Sequence, residues 1–173
     1  LGPEMRSTGE VLGLSTYYGE AFYKAQEATQ TSLPLSGTVL ISVNRKDKDE
    51  VVEIGKLFHE CGFKILATEG TCRLINEAGI PAERVNKLQE GRPNMLDVIT
   101  NGKVDMIVNT PSGKESKNDD SYLRKAAIKK KVPYMTTMAA AKAAANGILA
   151  VKKHGSKEVK SLQEIHGEIT DKE

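Results

Sequence analysis

Between Phe63 and Ile80 the chain passes from an apolar run to a helix through one tight corner. The run is Phe63-Lys64-Ile65-Leu66-Ala67, the corner Thr68-Glu69-Gly70-Thr71, and the helical stretch Cys72-Arg73-Leu74-Ile75-Asn76-Glu77-Ala78, which Gly79 stops. Strand, turn and helix in immediate succession commit this part of the chain to a βα unit. The corner carries two hydroxyls and a glycine at the start of a helix, where free N–H groups and the macrodipole favour an anion. Taken alone, the corner is better explained by Thr68 or Thr71 acting as an ordinary N-cap. It is far shorter than a Walker loop and lacks that loop's lysine.

The flanking sequence repeats the alternation. Thr38-Val39-Leu40-Ile41-Ser42-Val43 is a continuous apolar run of the kind buried in parallel sheets. A charged turn follows, in which Asp47 or Asp49 can cap a helix over 50–61 whose stripe is Val51, Ile54, Leu57 and Phe58. A short strand is expected at 83–87, a helix over 94–101 and a strand at 104–109. The polar run Lys114 to Asp120 reads as a mobile loop ending in a cap, and 121–131 as the next helix. Residues 132–136 read as a short edge strand, where Pro133 is tolerated. An alanine-rich helix over 138–150, interrupted at Gly147, and a short helix over 162–169 complete the chain. Strands alternating with helices predict a Rossmann-like three-layer α/β sandwich around a mostly parallel sheet of about five strands. Residues 1–36 stand apart: turn-rich, with one helix at 18–28 and a Pro-containing polar linker. They have too little apolar surface to form a domain, and read as the edge of a neighbour in a longer protein; 37–173 form the regular domain.

Charge and cysteine content exclude several classes. Lys plus Arg number 25 against 23 for Asp plus Glu, so no global field recruits nucleic acid or an anionic membrane. The basic run from Arg124 to Lys131 has no interleaved aromatics for base stacking. Two cysteines make neither a disulfide framework nor a zinc site, and a reducing cytoplasm is the expectation. The histidines His59, His154 and His166 show no metal-ligand spacing, and no apolar run reaches membrane length.

In an open parallel sheet, ligands bind beyond the carboxyl ends of the strands. The predicted ends deliver Ser42 with Arg45, Lys46 and Lys48; then Thr68, Gly70 and Thr71; then Lys87; then Asn109, Thr110 and Ser112; and last Thr136 and Thr137. Hydroxyls, amides and lysines with few acids suit a phosphorylated small molecule. Catalytic equipment is scarce. Glu69, Glu90 and Asp97 are the candidate bases near this edge, none in a visible pair or triad, so binding without chemistry is expected.

Several motifs together resemble a known family. They are Leu40-Ile41-Ser42-Val43, Asp47-Lys48, Ala67-Thr68-Glu69-Gly70-Thr71, Val85-Asn86-Lys87, Glu90-Gly91-Arg92-Pro93, Ile107-Val108-Asn109-Thr110 and Tyr134-Met135-Thr136-Thr137. In this order they resemble the C-terminal regulatory domain of the carbamoyl phosphate synthetase large subunit, built on the methylglyoxal-synthase-like fold. Ser7-Thr8-Gly9-Glu10-Val11 with Gly19-Glu20-Ala21-Phe22 is similar to the tail of the preceding carbamoyl-phosphate-forming ATP-grasp domain.

The resemblance implies an effector site for a nucleoside monophosphate, UMP or IMP. The phosphate would fall to Lys48, Thr68, Thr71 and Lys87, with Gly70 in the same turn; Ser42, Asn109 and Thr110 would lie nearer the ribose and base. It further implies an ornithine-side position at Tyr134 and Thr136. Pro111 stands where some relatives have Thr, so that hydroxyl's contact is missing. The parent enzyme would make carbamoyl phosphate from glutamine, bicarbonate and ATP for pyrimidine and arginine biosynthesis. Its ATP, Mg2+ and K+ would belong to other large-subunit domains, its ammonia to a glutaminase small subunit, and no cofactor to this chain. Two other readings compete. A methylglyoxal synthase acting on dihydroxyacetone phosphate shares the phosphate turn, but the position of its catalytic Asp reads Arg92 here. A structural or oligomerisation domain with an incidental polar edge is the third.

Overall fold

The computed structural model describes residues 9–29, 31–111, 114–155 and 160–170. Five parallel strands form one sheet: β1 (Gly37–Val43), β2 (Phe63–Thr68), β3 (Ala82–Val85), β4 (Met106–Thr110) and β5 (Tyr134–Met135). Their order is β3-β2-β1-β4-β5. The chain therefore winds outward from β1 to β3, then crosses to the far side of β1 for β4 and β5. The carboxyl ends of β1 and β4 lie at this change of direction, with Ser42 beside Asn109 and Val43 beside Thr110 in register.

Seven helices accompany the strands among the described residues: α1 (Tyr18–Glu27), α2 (Lys48–Glu60), α3 (Glu69–Glu77), α4 (Met95–Thr100), α5 (Lys114–Lys130), α6 (Met138–His154) and α7 (Leu162–Thr170). Strand side chains alternate between faces, and the core divides accordingly. Val39, Ile41, Ile65, Met106 and Val108 pack with Val51, Ile54 and Phe58 of α2, Ile75 of α3 and the alanines of α6. Leu40, Val85 and Ile107 pack on the opposite face with Met95 and Ile99 of α4 and Leu123 and Ala127 of α5. Phe58 meets Phe63 edge to face at 5.7 Å, joining the end of α2 to the start of β2.

Three local expectations change. The polar run before residue 121 is not a loop: α5 already begins at Lys114. Asp120, buried in this helix, bonds to Asn109 and Tyr134, and these contacts fix the segment against β4 and β5. The alanine-rich helix is not interrupted at Gly147 but continues to His154. Gly147 serves packing instead, because a Cβ there would lie 2.6 Å from the carbonyl oxygen of Gly19 in α1. Asp47 does take the N-cap position of α2, but its side chain makes no capping hydrogen bond. Asn44 accepts from the N–H groups of Lys46 and Asp47, opening a 3-10 turn (Arg45–Asp47) that leads into the helix.

The leading segment, as far as it is described, lies against the main body. α1 packs on α6, and Tyr23 and Leu33 are buried in the core beneath the sheet. Ser7, Thr8 and Ser112 of the motifs above lie outside the described residues.

Candidate functional site

The site is assembled from four strand ends. β2 ends at Thr68, which occupies the N-cap position of α3, yet its side chain makes no capping hydrogen bond. Its Oγ1 lies 3.4 Å from Ser42 Oγ at the end of β1 instead. Thr68 is thus an N-cap by position without the side-chain bond of an ordinary cap. Thr68 and Thr71 are both buried, at 2% and 1% exposure.

Lys48, the first residue of α2, reaches across to this corner. A Cβ built on Gly70 would lie 2.9 Å from Lys48 Nζ, so the ammonium rests over the glycine in the first turn of α3. A side chain at position 70 would occupy that space. Among the described residues, neither Lys48 nor Lys87 takes part in a salt bridge. Half-buried cation, helix start and hydroxyl turn together make an anion-accepting corner.

Lys87 is delivered by a pinched loop. Beyond β3, Asn86 bridges to Asn94, and its carbonyl accepts the Met95 N–H at 2.9 Å. Inside the loop, Glu90 Oε2 accepts the Lys87 N–H at 3.0 Å. Asn94 closes the far side as the cap of α4, accepting from Leu96 and Asp97 N–H while Asp97 accepts its own N–H. The loop is therefore held at both ends, with Lys87 exposed at the carboxyl edge of the sheet.

A cleft of about 290 Å3 opens at the change of strand direction. Ser42, Lys87, Asn109 and Thr110 line it, joined by Asn44, Asp119 and Asp120. Thr110 Oγ1 accepts from Asn44 N–H at 3.0 Å and from Asn44 Nδ2 at 3.2 Å, tying the ends of β1 and β4 together. Across the mouth, Gln89 Nε2 donates to Asp119 Oδ1 at 3.2 Å. The cleft thus has a cationic end near Lys87 and an acidic side at α5. The Ser42–Thr68 contact connects it to the corner beneath Lys48.

Asp120 was not legible as a site residue, nor was the arrangement around Tyr134. Asp120 Oδ1 accepts from Asn109 Nδ2 at 3.0 Å and from the Tyr134 hydroxyl at 2.6 Å, while Arg124 Nη2 donates to Oδ2 at 2.7 Å. The Asn109 amide also donates to the Tyr134 oxygen at 2.7 Å, and Arg124 stacks 5.6 Å from the Tyr134 ring centre. Burial, reinforced by the Asp120 carboxylate, pushes the Tyr134 phenol well above its ordinary range. Tyr134 is therefore bound into the wall behind Asn109. Thr136 is exposed and is not part of the cleft lining, so the two positions are not brought together around it. Arg45 and Lys46 are exposed outside the cleft, and Thr137 caps α6 by accepting from Ala140 N–H.

Each candidate base is engaged elsewhere. Glu69 pairs with Arg84 at 3.3 Å. Glu90 holds the Lys87 backbone. Asp97 accepts from Arg92 Nη2 at 2.5 Å and Nε at 3.2 Å, and these bonds, with the Asn94 N–H, hold its carboxyl below the usual range. No group of His, Cys, Asp and Glu able to hold a metal occurs among the described residues, and none of their helices is long and apolar enough to cross a membrane.

Comparison with known proteins agrees with this architecture. The profile of the MGS-like domain matches residues 50–136. The chain is 49% identical over 169 residues to the carbamoyl phosphate synthase large chain of Archaeoglobus fulgidus, covering 97% of this chain and 16% of that one. It is 47% identical over 175 residues to the C-terminal section of the carbamoyl phosphate synthase large chain of Methanopyrus kandleri, covering 100% of this chain and 32% of that one. The chain thus spans a third or less of the length of these relatives. Methylglyoxal synthase from Elizabethkingia anophelis superposes with a TM-score of 0.50 at 20% identity, over 64% of this chain and 77% of that one, a likeness of fold. The profile spans half of the chain, from α2 to the end of β5, and takes in the ends of β2, β3 and β4; the chain belongs to the MGS-like domain family, in the form carried by carbamoyl phosphate synthase large chains.

Proposed function

We propose that this chain is the effector-binding domain of a carbamoyl phosphate synthase and that it takes a nucleoside monophosphate, UMP or IMP, at the carboxyl edge of its sheet. The phosphate sits at the corner of Thr68, Gly70 and Thr71 under Lys48, with Lys87 closing from the loop beyond β3. The ribose and base extend over Ser42, Asn109 and Thr110 into the cleft. One observation carries this reading: the Lys48 ammonium lies over Gly70 at a helix start whose N-cap hydroxyl is turned aside to Ser42. That arrangement leaves backbone donors and a cation converging where an anion is favoured.

The domain does no chemistry of its own, since Glu69, Glu90 and Asp97 are each taken up by another group. In the whole protein it regulates formation of carbamoyl phosphate from bicarbonate, ATP and glutamine-derived ammonia. The remaining large-chain domains hold ATP with Mg2+ and K+, and a glutaminase subunit supplies the ammonia. Regulation requires that the effector bind two global states unequally, so its sign belongs to the whole assembly. An ornithine effect through Tyr134 and Thr136 is part of the same proposal.

Calorimetric titration with UMP and IMP tests the reading. Saturable binding is expected, weakened at least tenfold by Lys87→Ala, as for loss of a charge-assisted contact. Absence of saturable binding by either nucleotide, or release of methylglyoxal from dihydroxyacetone phosphate, would overturn it.

A further inference from the structure

The four-residue network behind the cleft has a direction. A carboxylate only accepts hydrogen bonds, and the Arg124 guanidinium only donates them. Asp120 Oδ2 is taken by Arg124, so Oδ1 is left to receive both the Tyr134 hydroxyl proton and one Asn109 amide proton. Having given its proton to Asp120, the Tyr134 oxygen can only accept, and it too receives a hydrogen bond from Asn109 Nδ2, at 2.7 Å. The reverse orientation of the Asn109 amide would set its oxygen against the carboxylate. Both acceptors lie on the wall side of Nδ2, so the amide nitrogen is committed to the wall. Every buried side-chain oxygen among the described residues has a partner, whereas Asn109 Oδ1 has none; it is the atom of this amide open to the cleft that Asn109 lines.

We infer that Asp120, backed by Arg124 and relayed by Tyr134, is a positioning residue that makes Asn109 a fixed acceptor, so that the cleft selects ligands presenting an N–H or O–H donor at this point. The inference rests on the nucleoside monophosphate reading and sharpens it: the donor is a ribose hydroxyl or a ring N–H. It also predicts how the preference is lost. In Asp120→Asn only one acceptor oxygen remains, and Arg124 claims it. The new amide nitrogen then faces Asn109 and Tyr134, and Asn109 turns over to present N–H groups to the cleft.

The test is calorimetry of the full chain and of Asp120→Asn with UMP, its 2′-deoxy, 3′-deoxy and N3-methyl analogues, and inorganic phosphate. In the native chain, one of the three analogues, each lacking a single donor, binds about tenfold more weakly than UMP, the loss expected for one buried hydrogen bond left unmade. In Asp120→Asn the same analogue binds as well as UMP does, while affinity for inorganic phosphate is unchanged. Equal discrimination in both proteins, discrimination against none of the analogues by the native chain, or a parallel fall in phosphate affinity would overturn the inference. A native chain that binds no nucleotide at all removes the parent reading and this one with it. A second measurement needs no variant. In 15N-labelled native protein at least one Asn109 side-chain amide proton stays protected from exchange and keeps its shift when UMP binds; rapid exchange of both, or a large shift of both, contradicts the orientation.

Discussion

Gly70 shows how one residue without a side chain sets the character of the site. Its Cα carries the Lys48 ammonium, and the contact a Cβ would make is with the far end of that flexible chain. Gly70→Ala should therefore move Lys48 with little strain and even favour α3 slightly, since alanine is the better helix former. The expected outcome is an unchanged or slightly raised melting temperature. Affinity for a nucleoside monophosphate should fall about three- to tenfold, as for displacement of one contact worth roughly 1 kcal/mol. Calorimetry and thermal melting read the two separately, and a large loss of stability would contradict this placement of Lys48.

Arg92 gives a pH-dependent counterpart. Its bidentate bond to Asp97 is the main cause of that carboxyl's lowered pKa. A carboxyl whose folded pKa lies below its unfolded value contributes stability above the unfolded value and loses it as pH falls through the folded one. Denaturation midpoints of the native chain and Arg92→Ala should thus differ at neutral pH and converge below the usual carboxylate range. A difference that persists in strong acid would show that Arg92 acts by packing.

At the scale of elements, the sequence exposes faces better than it exposes contacts between them. Val39-Leu40-Ile41 and Met106-Ile107-Val108 could be read as buried strands because both their faces are apolar, and each face meets helices. Gly147 could not be read in this way. In an alanine-rich helix a glycine looks like an interruption, and only the approach of Gly19 in α1 explains it. Gly147→Ala gains roughly 1 kcal/mol in helix propensity but forces α1 outward, an overpacking that costs about 1–3 kcal/mol. We expect a net loss of stability with early melting of α1, seen as faster hydrogen exchange in residues 18–27 than in the sheet. A more stable Gly147→Ala protein would contradict the close crossing of α1 and α6.

The same limit explains which part of the site was legible. Ser42, Thr68, Gly70, Thr71, Lys87, Asn109 and Thr110 follow strand ends, so topology alone gathers them at one edge. Asp120 lies in the polar run from Lys114, where nothing periodic marks it, and its value comes from partners on β4 and at β5. Tyr134 looked like a separate contact because its edge strand says nothing of where the hydroxyl points. Asn44 was passed over because the acids after it are equally good caps in isolation.

For the whole molecule, the account holds that one nucleoside monophosphate spans two places: an anion corner at the start of α3 and an amide-lined cleft between β1 and β4. A second groove, bordered by Lys64, Arg84 and Lys103 and running along β3 to Asn86, provides the natural contrast, since it too carries basic side chains. Backbone amide shifts followed during a UMP titration decide between them. The account predicts the largest changes together at Glu69–Cys72, at Ser42 and at Asn109–Thr110, saturating with a single dissociation constant. Changes confined to the groove of Lys64, Arg84 and Lys103, or none at Glu69–Cys72, would contradict it.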